Sequence, residues 1–233
     1  MTAAVDISYD IIVRGNNLRL RDGFLAMSNV TLVKTGRGYL LFDTAGYISR
    51  LGLITALRER NIAPADIKMV FLSHLHFDHC HNIDLFPTAK VFVSKTEWSY
   101  AKSPHHEDIF MPWGIHEMLQ RYDLEILEGD GVIDPGVSFF PAPGHTPGSF
   151  AVRLDTRDRG CVVIAGDAIK YAKEVIMQRG DNVYDTAAHS TASIKRIAEM
   201  ADRIIPGHFP ELIKQPNGQF GWTEGAAFDL IVR

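Results

Sequence analysis

The chain has 233 residues, of which 46% are hydrophobic, and its formal net charge is −4. This length allows one large domain or two small ones, and we predict a single domain over residues 1–233. The negative charge offers no general attraction to nucleic acid or anionic membranes. Two cysteines, Cys80 and Cys161, are too few for a disulfide framework and suit a reducing compartment.

The start of the chain and its hydropathy predict a cytoplasmic protein. Residues 1–8 lack the basic, apolar and small-residue regions of a signal peptide. No apolar run approaches the roughly 20 residues that a membrane-spanning helix needs. We therefore expect neither a membrane nor a nucleic acid as partner. The oligomeric state stays open, with a homodimer among the options.

Short runs of β-forming residues recur along the chain. The predicted strands cover residues 10–13, 30–34, 39–42, 69–72, 91–94, 124–127, 137–140, 150–154 and 162–165. Their alternation with helical patterns predicts an α/β layered domain with mixed sheets.

Two segments show helical periodicity. The first runs from Ser49, as its N-cap, to about residue 61, with an apolar stripe of Leu53, Ile54 and Leu57. The second covers about residues 190–201.

The segment 73–79 (SHLHFDH) carries three histidines and an aspartate directly after an apolar run. Imidazole nitrogen and carboxylate oxygen are the ligands that borderline divalent metals such as zinc prefer. Three further residues of this kind, His145, Asp167 and His208, each follow a glycine at the end of a β-type run. Their recurrence predicts a metal site assembled from four loops.

The order of these motifs resembles that of the metallo-β-lactamase superfamily. The chain has HxHxDH at 74–79, PGHTPG at 143–148, GD at 166–167 and PGH at 206–208. Asp43, at the end of a hydrophobic strand, matches an earlier aspartate of the family. The resemblance covers residues 30–208 and implies an αββα sandwich, in which two mixed β-sheets pack face to face and helices flank them.

The resemblance also implies a dinuclear metal site. The first ion would be held by His74, His76 and His145, the second by Asp78, His79 and His208, and both by a bridging Asp167. Zinc is the default, and manganese, iron or cobalt are alternatives. Asp43 would accept a hydrogen bond that orients a ligand histidine.

Such a site implies an enzyme that uses a bridging hydroxide to open a small ester or lactone. Asp78 is a candidate for the acid that protonates the leaving group, and Tyr171 or Lys170 for a hydrogen-bond donor to a substrate oxygen. The sequence HLHFDH is similar to that of N-acyl homoserine lactone lactonases, so a lactone is the leading substrate. Those lactonases carry a tyrosine three positions after the bridging aspartate, where this chain has Lys170 followed by Tyr171.

Other branches of the family remain as alternatives. A thioester hydrolase of the glyoxalase II type would share the ligands, but it adds a helical domain for which residues 209–233 are too short. A phosphodiesterase or nuclease would use the same metal chemistry. A β-lactamase, a mononuclear iron persulfide dioxygenase and a non-catalytic binding protein agree less well with the ligand set.

Residues outside these motifs have more ordinary interpretations. The aromatic segment 95–121 is either an insertion that contacts substrate or a surface region with packing aromatics. We interpret Cys80 and Cys161 as packing residues. We place the remaining histidines at the surface or behind the ligands: His81, His105, His106, His116 and His189.

Overall fold

The computed structural model describes residues 6–222, and its main feature is a pair of β-sheets packed face to face. In the first half of the chain the strands are β1 (Ser8–Val13), β2 (Arg19–Leu20), β3 (Gly23–Phe24), β4 (Val30–Thr35), β5 (Gly38–Phe42), β6 (Ile67–Phe71), β7 (Lys90–Ser94) and β8 (Asp123–Leu127). Six of them form one sheet in the order β1-β4-β5-β6-β7-β8, and β2 and β3 form a separate hairpin.

The second half of the chain builds a seven-stranded sheet. Its strands are β9 (Gly131–Asp134), β10 (Val137–Pro141), β11 (Phe150–Thr156), β12 (Gly160–Gly166), β13 (Arg203–Pro206), β14 (Leu212–Lys214) and β15 (Phe220–Gly221). Their order is β15-β14-β13-β12-β11-β10-β9.

Helices cover the outer faces of the two sheets. They are α1 (Arg50–Glu59), α2 (Phe77–Cys80), α3 (Lys95–Tyr100), α4 (Ile115–Leu119), α5 (Ala172–Met177) and α6 (Ala187–Met200). Leu53 and Leu57 of α1 pack in the cluster on the first sheet, and Ile194 and Ile197 of α6 pack in the cluster on the second. The predicted αββα sandwich of two mixed sheets is thereby confirmed.

The core between the sheets draws on both halves of the chain. Leu40 and Phe71 of the first sheet share one buried cluster with Val152 and Ile164 of the second. The ring of Phe71 lies 6.2 Å, centroid to centroid, from that of Phe139 in the opposite sheet. Burial of these apolar surfaces provides the main driving force for joining the sheets.

Parallel strand pairs fix the place of the functional loops. Strands β5, β6 and β7 run parallel, and so do β12 and β13. Asp43 and Ser73 follow β5 and β6, while Asp167 and His208 follow β12 and β13. Because parallel strands end at the same edge of a sheet, these loops meet at one edge of the sandwich.

The nine predicted strands are present within two residues of their predicted ends, whereas three details of the helices were wrong. Ile54 is exposed, and Ala56 is buried in α1 instead. The Ser49 hydroxyl makes no capping bond, because the turn Tyr47–Ser49 leads directly into α1. Helix α6 begins earlier than predicted, since Thr186 caps it by accepting from the His189 N–H.

Within residues 6–222, no helix has both the length and the apolar character needed to cross a membrane.

Candidate metal centre

Three buried histidines converge at the edge of the sandwich. His74 and His76 come from the loop after β6, and His145 comes from the loop between β10 and β11. His76 Nδ1 and His145 Nε2 are 2.9 Å apart, and His74 Nε2 is buried without a hydrogen-bond partner. One ligand atom from each lies within 4.8 Å of the other two, so a single ion could contact all three.

A second group lies beside the first. Asp78 and His79 are held by the short helix α2, and His208 follows β13. His208 Nε2 is 3.3 Å from Asp78 Oδ2, and His79 Nε2 is 3.8 Å from the same oxygen. These donors also lie within 4.8 Å of one another.

The carboxylate of Asp167 lies between the two groups. Its Oδ2 is 3.3 Å from His145 Nε2 in the first group. Its Oδ1 is 3.2 Å from His79 Nε2 and 3.3 Å from His208 Nε2 in the second. Each oxygen therefore faces a different group, as a bridging ligand would require.

Each ligand histidine uses one ring nitrogen for an outer partner and turns the other inward. Oxygens of the surrounding protein meet the outer nitrogens: Ser73 Oγ at His74 Nδ1 (2.9 Å), Asp108 Oδ2 at His76 Nε2 (2.9 Å), Asp43 Oδ2 at His79 Nδ1 (2.7 Å), the Asn182 carbonyl at His145 Nδ1 (2.7 Å) and the Met27 carbonyl at His208 Nδ1 (2.9 Å). Such partners fix the orientation of the ring and leave the inner nitrogen free to bind a metal.

The expectation that Asp43 orients a histidine is confirmed by its hydrogen bond to His79. Asp43 is fully buried, and it also accepts from the backbone N–H and the hydroxyl of Ser73, each at 2.8 Å. Its φ of 60° lies in the left-handed region, which aspartate tolerates better than most residues.

Asp108 is a residue of the site that the sequence did not reveal, and its carboxylate lies 2.9 Å from His76 Nε2. Besides His76 it accepts from the Tyr100 hydroxyl at 2.7 Å and from the Phe110 N–H at 3.0 Å. It lies inside the aromatic segment 95–121, but no periodic pattern in that irregular loop predicts which side chain reaches the site.

The electrostatics of the site favour the neutral form of His74 and His145 in the first group and a positive charge at His79 in the second. Burial holds the pKa of His74 and of His145 well below the usual range. Burial also disfavours the charged form of His79, but the carboxylates of Asp167 and Asp78 outweigh it and raise its pKa well above the usual value. Nearby histidines overcome the effect of burial on Asp167 and hold its pKa well below its usual value. The negative charge that favours a proton on His79 would also attract a metal ion.

The donor set fits divalent metal ions. Three inward atoms, His74 Nε2, His79 Nε2 and Asp167 Oδ1, are buried without hydrogen-bond partners. Buried polar atoms normally have such a partner. Nitrogen and carboxylate donors with this spacing suit zinc and related ions.

A cleft opens onto the ligand atoms, and its lining is chemically mixed. Its apolar lining residues are Phe24, Ala26, Phe77 and Phe110, and its polar and cationic ones are Asn17, Arg19, Lys170, Tyr171 and Asn182. A substrate with an apolar part and a polar reacting group would find partners for both in this cleft.

Both predicted substrate contacts lie at this cleft. Lys170 is buried, and its Nζ is 3.9 Å from Asp167 Oδ2. The ring of Tyr171 lies 6.3 Å from that of His208, centroid to centroid. Either side chain is placed to meet a molecule that occupies the cleft.

Segment 95–121 contributes to the site only in part. Phe110 lines the cleft, whereas Trp98 stacks on His116 at 3.6 Å between ring centroids and Trp113 is fully exposed. Trp98 is therefore a packing aromatic, as the second interpretation of this segment expects, while contact between the segment and a substrate stays a prediction for Phe110.

Comparison with known sequences identifies related proteins. The sequence profile of the metallo-β-lactamase superfamily matches residues 23–208. Metallo-beta-lactamase domain-containing protein 1 of Xenopus laevis is 30% identical over 203 residues, which cover 87% of this chain and 79% of that protein. An N-acyl homoserine lactonase of Bacillus thuringiensis is 29% identical over 154 residues, covering 66% of this chain but only 59% of the lactonase.

Solved structures share the fold. A quorum-quenching N-acyl homoserine lactone hydrolase superposes with a TM-score of 0.65 at 26% identity, covering 85% of this chain and 88% of that one. A dizinc quorum-quenching lactonase, solved with the product of its reaction, gives a TM-score of 0.68 at 22% identity and covers 97% and 94% of the two chains.

Proposed function

Because this chain belongs to the metallo-β-lactamase superfamily, it is a metal-dependent hydrolase, and we propose that it opens a small ester, with a lactone as the leading substrate. The observation that carries the proposal is the position of Asp167, whose two oxygens face two separate ligand groups. We infer a dinuclear site on this basis, with zinc as the default metal.

The ligands follow from the two groups and the bridge. The first ion would be held by His74, His76 and His145, the second by Asp78, His79 and His208, and both by Asp167. When bound, such a pair supplies an acidified water and a Lewis acid for a carbonyl oxygen.

The chain's own residues would bind and orient the substrate. Phe77 and Phe110 would contact its apolar part and exclude water from the reacting group. Lys170 or Tyr171, which also line the cleft, would donate a hydrogen bond to a substrate oxygen. Asp78, whose side chain is 15% exposed, would take up the proton that the attacking water releases and deliver it to the departing oxygen.

Two observations favour a lactone over the other substrate classes: the matched relatives and the sequence HLHFDH. The matched relatives include N-acyl homoserine lactonases, and residues 74–79 are similar to their ligand motif. Lys170 stands where those lactonases carry a tyrosine, so the acyl group and the ring that this enzyme accepts are open to experiment.

A hydrolysis panel on enzyme of measured metal content tests the proposal. It should contain lactones, linear esters, thioesters, phosphodiesters and β-lactams. We expect turnover of lactones above the other classes. Hydrolysis of thioesters or phosphodiesters alone would replace the lactone with that substrate class, and no hydrolysis of any class by fully loaded enzyme would overturn the proposal.

His145→Ala provides the matched test of the site. It removes a nitrogen donor from the first group, so turnover should fall by several orders of magnitude while circular dichroism stays unchanged. His189→Ala is the control, because His189 is exposed and pairs with Asp185. Retained turnover in His145→Ala would show that the three-histidine group does not take part in catalysis.

A further inference from the structure

The buried carboxylate of Glu97 joins the two loops that carry the first ligand group. Its Oε1 accepts from the Leu75 N–H at 3.0 Å, and its Oε2 accepts from the Thr146 hydroxyl at 2.6 Å. Leu75 separates the two histidines of the first loop, and Thr146 directly follows the histidine of the second. All three residues are fully buried.

The Glu97 side chain does not make the capping-box hydrogen bond that is typical of its position in a helix. Ser94 and Glu97 have the spacing of a capping box, in which the glutamate returns to the N-cap backbone. The Ser94 hydroxyl accepts from the Glu97 N–H at 3.0 Å, but the Glu97 carboxylate turns away to Leu75 and Thr146. A side chain that hydrogen-bonds to loops distant in sequence, and not to its own helix end, indicates a role in joining those loops.

Burial makes this arrangement costly unless both hydrogen bonds form. Two hydrogen bonds, from the Leu75 N–H and the Thr146 hydroxyl, stabilise the buried Glu97 carboxylate. A buried carboxylate depends on such hydrogen bonds for stability. Both donors to Glu97 belong to the ligand loops, so its stabilisation is tied to the positions of those loops.

Close packing reinforces the connection. A Cβ atom on Gly148 would lie 2.1 Å from the Glu97 backbone nitrogen, so only glycine allows this approach. The Ser94 hydroxyl also donates to the Gly148 carbonyl at 2.6 Å. The start of α3 and the PGHTPG loop are therefore in direct contact.

We propose that Glu97 is a positioning residue, whose carboxylate fixes the spacing between the histidines of the two loops and thereby sets the metal affinity of the three-histidine group. This inference rests on the ligand assignment in the proposed function, but not on the identity of the substrate.

Three variants separate the geometry from the charge. Glu97→Gln removes the charge but keeps both contacts, since its oxygen can accept from Leu75 and its amide can donate to Thr146 Oγ1, which then donates to Ser149 Oγ at 2.8 Å. Glu97→Ala loses both contacts, and Thr146→Val loses one. Leu119→Ala is the control for lost stability, because Leu119 is fully buried in the core cluster on the first sheet.

The test is a Zn²⁺ titration against a competing chelator, followed by imidazole ¹⁵N NMR. The imidazole signals distinguish the three-histidine group from His208 in the other group. We expect Glu97→Ala to weaken Zn²⁺ binding to the three-histidine group by about tenfold or more, as for other residues that support metal ligands. Glu97→Gln should bind like the unmodified protein, and Thr146→Val should lie between them.

Several outcomes would overturn the inference. Normal Zn²⁺ affinity in Glu97→Ala would reduce Glu97 to a packing residue, and an equal loss in Leu119→Ala would reduce its effect to stability. A Glu97→Gln variant as weak as Glu97→Ala would assign the effect to charge instead of geometry. If Glu97→Ala does not fold, normal affinity in Thr146→Val decides against the proposal. Failure of the hydrolysis panel would leave these binding results unaffected.

Discussion

Asp167 is the residue on which a shared metal site depends. It lies between the two ligand groups, with an oxygen 3.3 Å from His145 Nε2 and the other 3.2 Å from His79 Nε2. Asp78, in contrast, lies near the second group alone, 3.3 Å from His208 Nε2. Removing Asp167 should therefore affect both ligand groups, whereas removing Asp78 should affect mainly the second.

Asp167→Ala should make both metal ions labile, whereas Asp78→Ala should weaken mainly the second. The first change removes a donor from each ion and reduces the negative charge between two cations, so they bind more weakly and repel each other more strongly. Chelator titration followed by metal counting measures the difference. Equal stepwise loss from both variants would show that the bridge has been assigned to the wrong aspartate.

Asp43→Asn should weaken metal binding in the second group by about 10–100-fold, the range found when partners of ligand histidines are removed. Asparagine keeps the left-handed backbone. Its single acceptor oxygen cannot serve all three present donors, the Ser73 N–H, the Ser73 hydroxyl and His79 Nδ1. Chelator competition measures the affinity.

The control for Asp43→Asn is Asp66→Asn, because Asp66 accepts the Ala63 N–H at an exposed turn. Unchanged metal affinity in Asp43→Asn would mean that the orientation of His79 does not depend on this carboxylate.

At the residue scale, the sequence predicted the residues that lie in motifs but not those that support them. The ligand candidates and Asp43 each follow a recognisable apolar run, and the structure brings them together. Asp108 reaches His76 from an irregular loop, and the Glu97 carboxylate accepts from Leu75 and Thr146 in two other loops. Such contacts join residues distant in sequence, so local patterns cannot predict them.

At the element scale, the buried strands were predictable because their apolar runs are continuous. Leu40, Leu41 and Phe42 are all buried, as expected for a strand covered on both faces. The hairpin of β2 and β3 has two-residue strands that are mostly exposed, and short, exposed strands of this kind carry no periodic signal. This hairpin nevertheless contributes Arg19 and Phe24 to the cleft.

The contact between α3 and the PGHTPG loop leads to a prediction about Gly148. In Gly148→Ala the new Cβ would approach the Glu97 nitrogen to 2.1 Å, so the loop or the helix must shift. We expect a loss of about 1–3 kcal/mol in the free energy of unfolding, the usual cost of overpacking, together with weaker binding of the first metal ion. Denaturant unfolding and chelator competition measure the two effects.

Gly52→Ala is the matched control for this change. Gly52 lies in α1, and a Cβ atom added at this position would meet nothing within 4 Å, so alanine should stabilise the protein by up to about 1 kcal/mol. If the free energy of unfolding of Gly148→Ala equalled that of Gly52→Ala, the close contact between α3 and the PGHTPG loop would be contradicted.

At the scale of the whole molecule, the apolar core and the metal site occupy different places and consist of different residues. The cluster between the sheets contains Val33 and Phe42 from the first sheet and Leu154 and Val162 from the second, whereas the ligand groups lie at the edge where the strands end. Apolar burial therefore holds the two halves together, and metal ions bound at that edge would add stability locally.

We propose on this basis that the chain is a single domain and predict a single cooperative unfolding transition, with or without metal. Removing the ions with a chelator should lower the melting temperature, because ligands that bind only the folded state stabilise it. The transition should stay single, since neither sheet can expose its half of the shared cluster while the other remains folded. Calorimetry tests this by comparing the calorimetric and van't Hoff enthalpies, which agree for a two-state transition. Two resolved transitions in the chelated protein would show that each half of the chain folds on its own, and that the shared cluster is an interface between two domains.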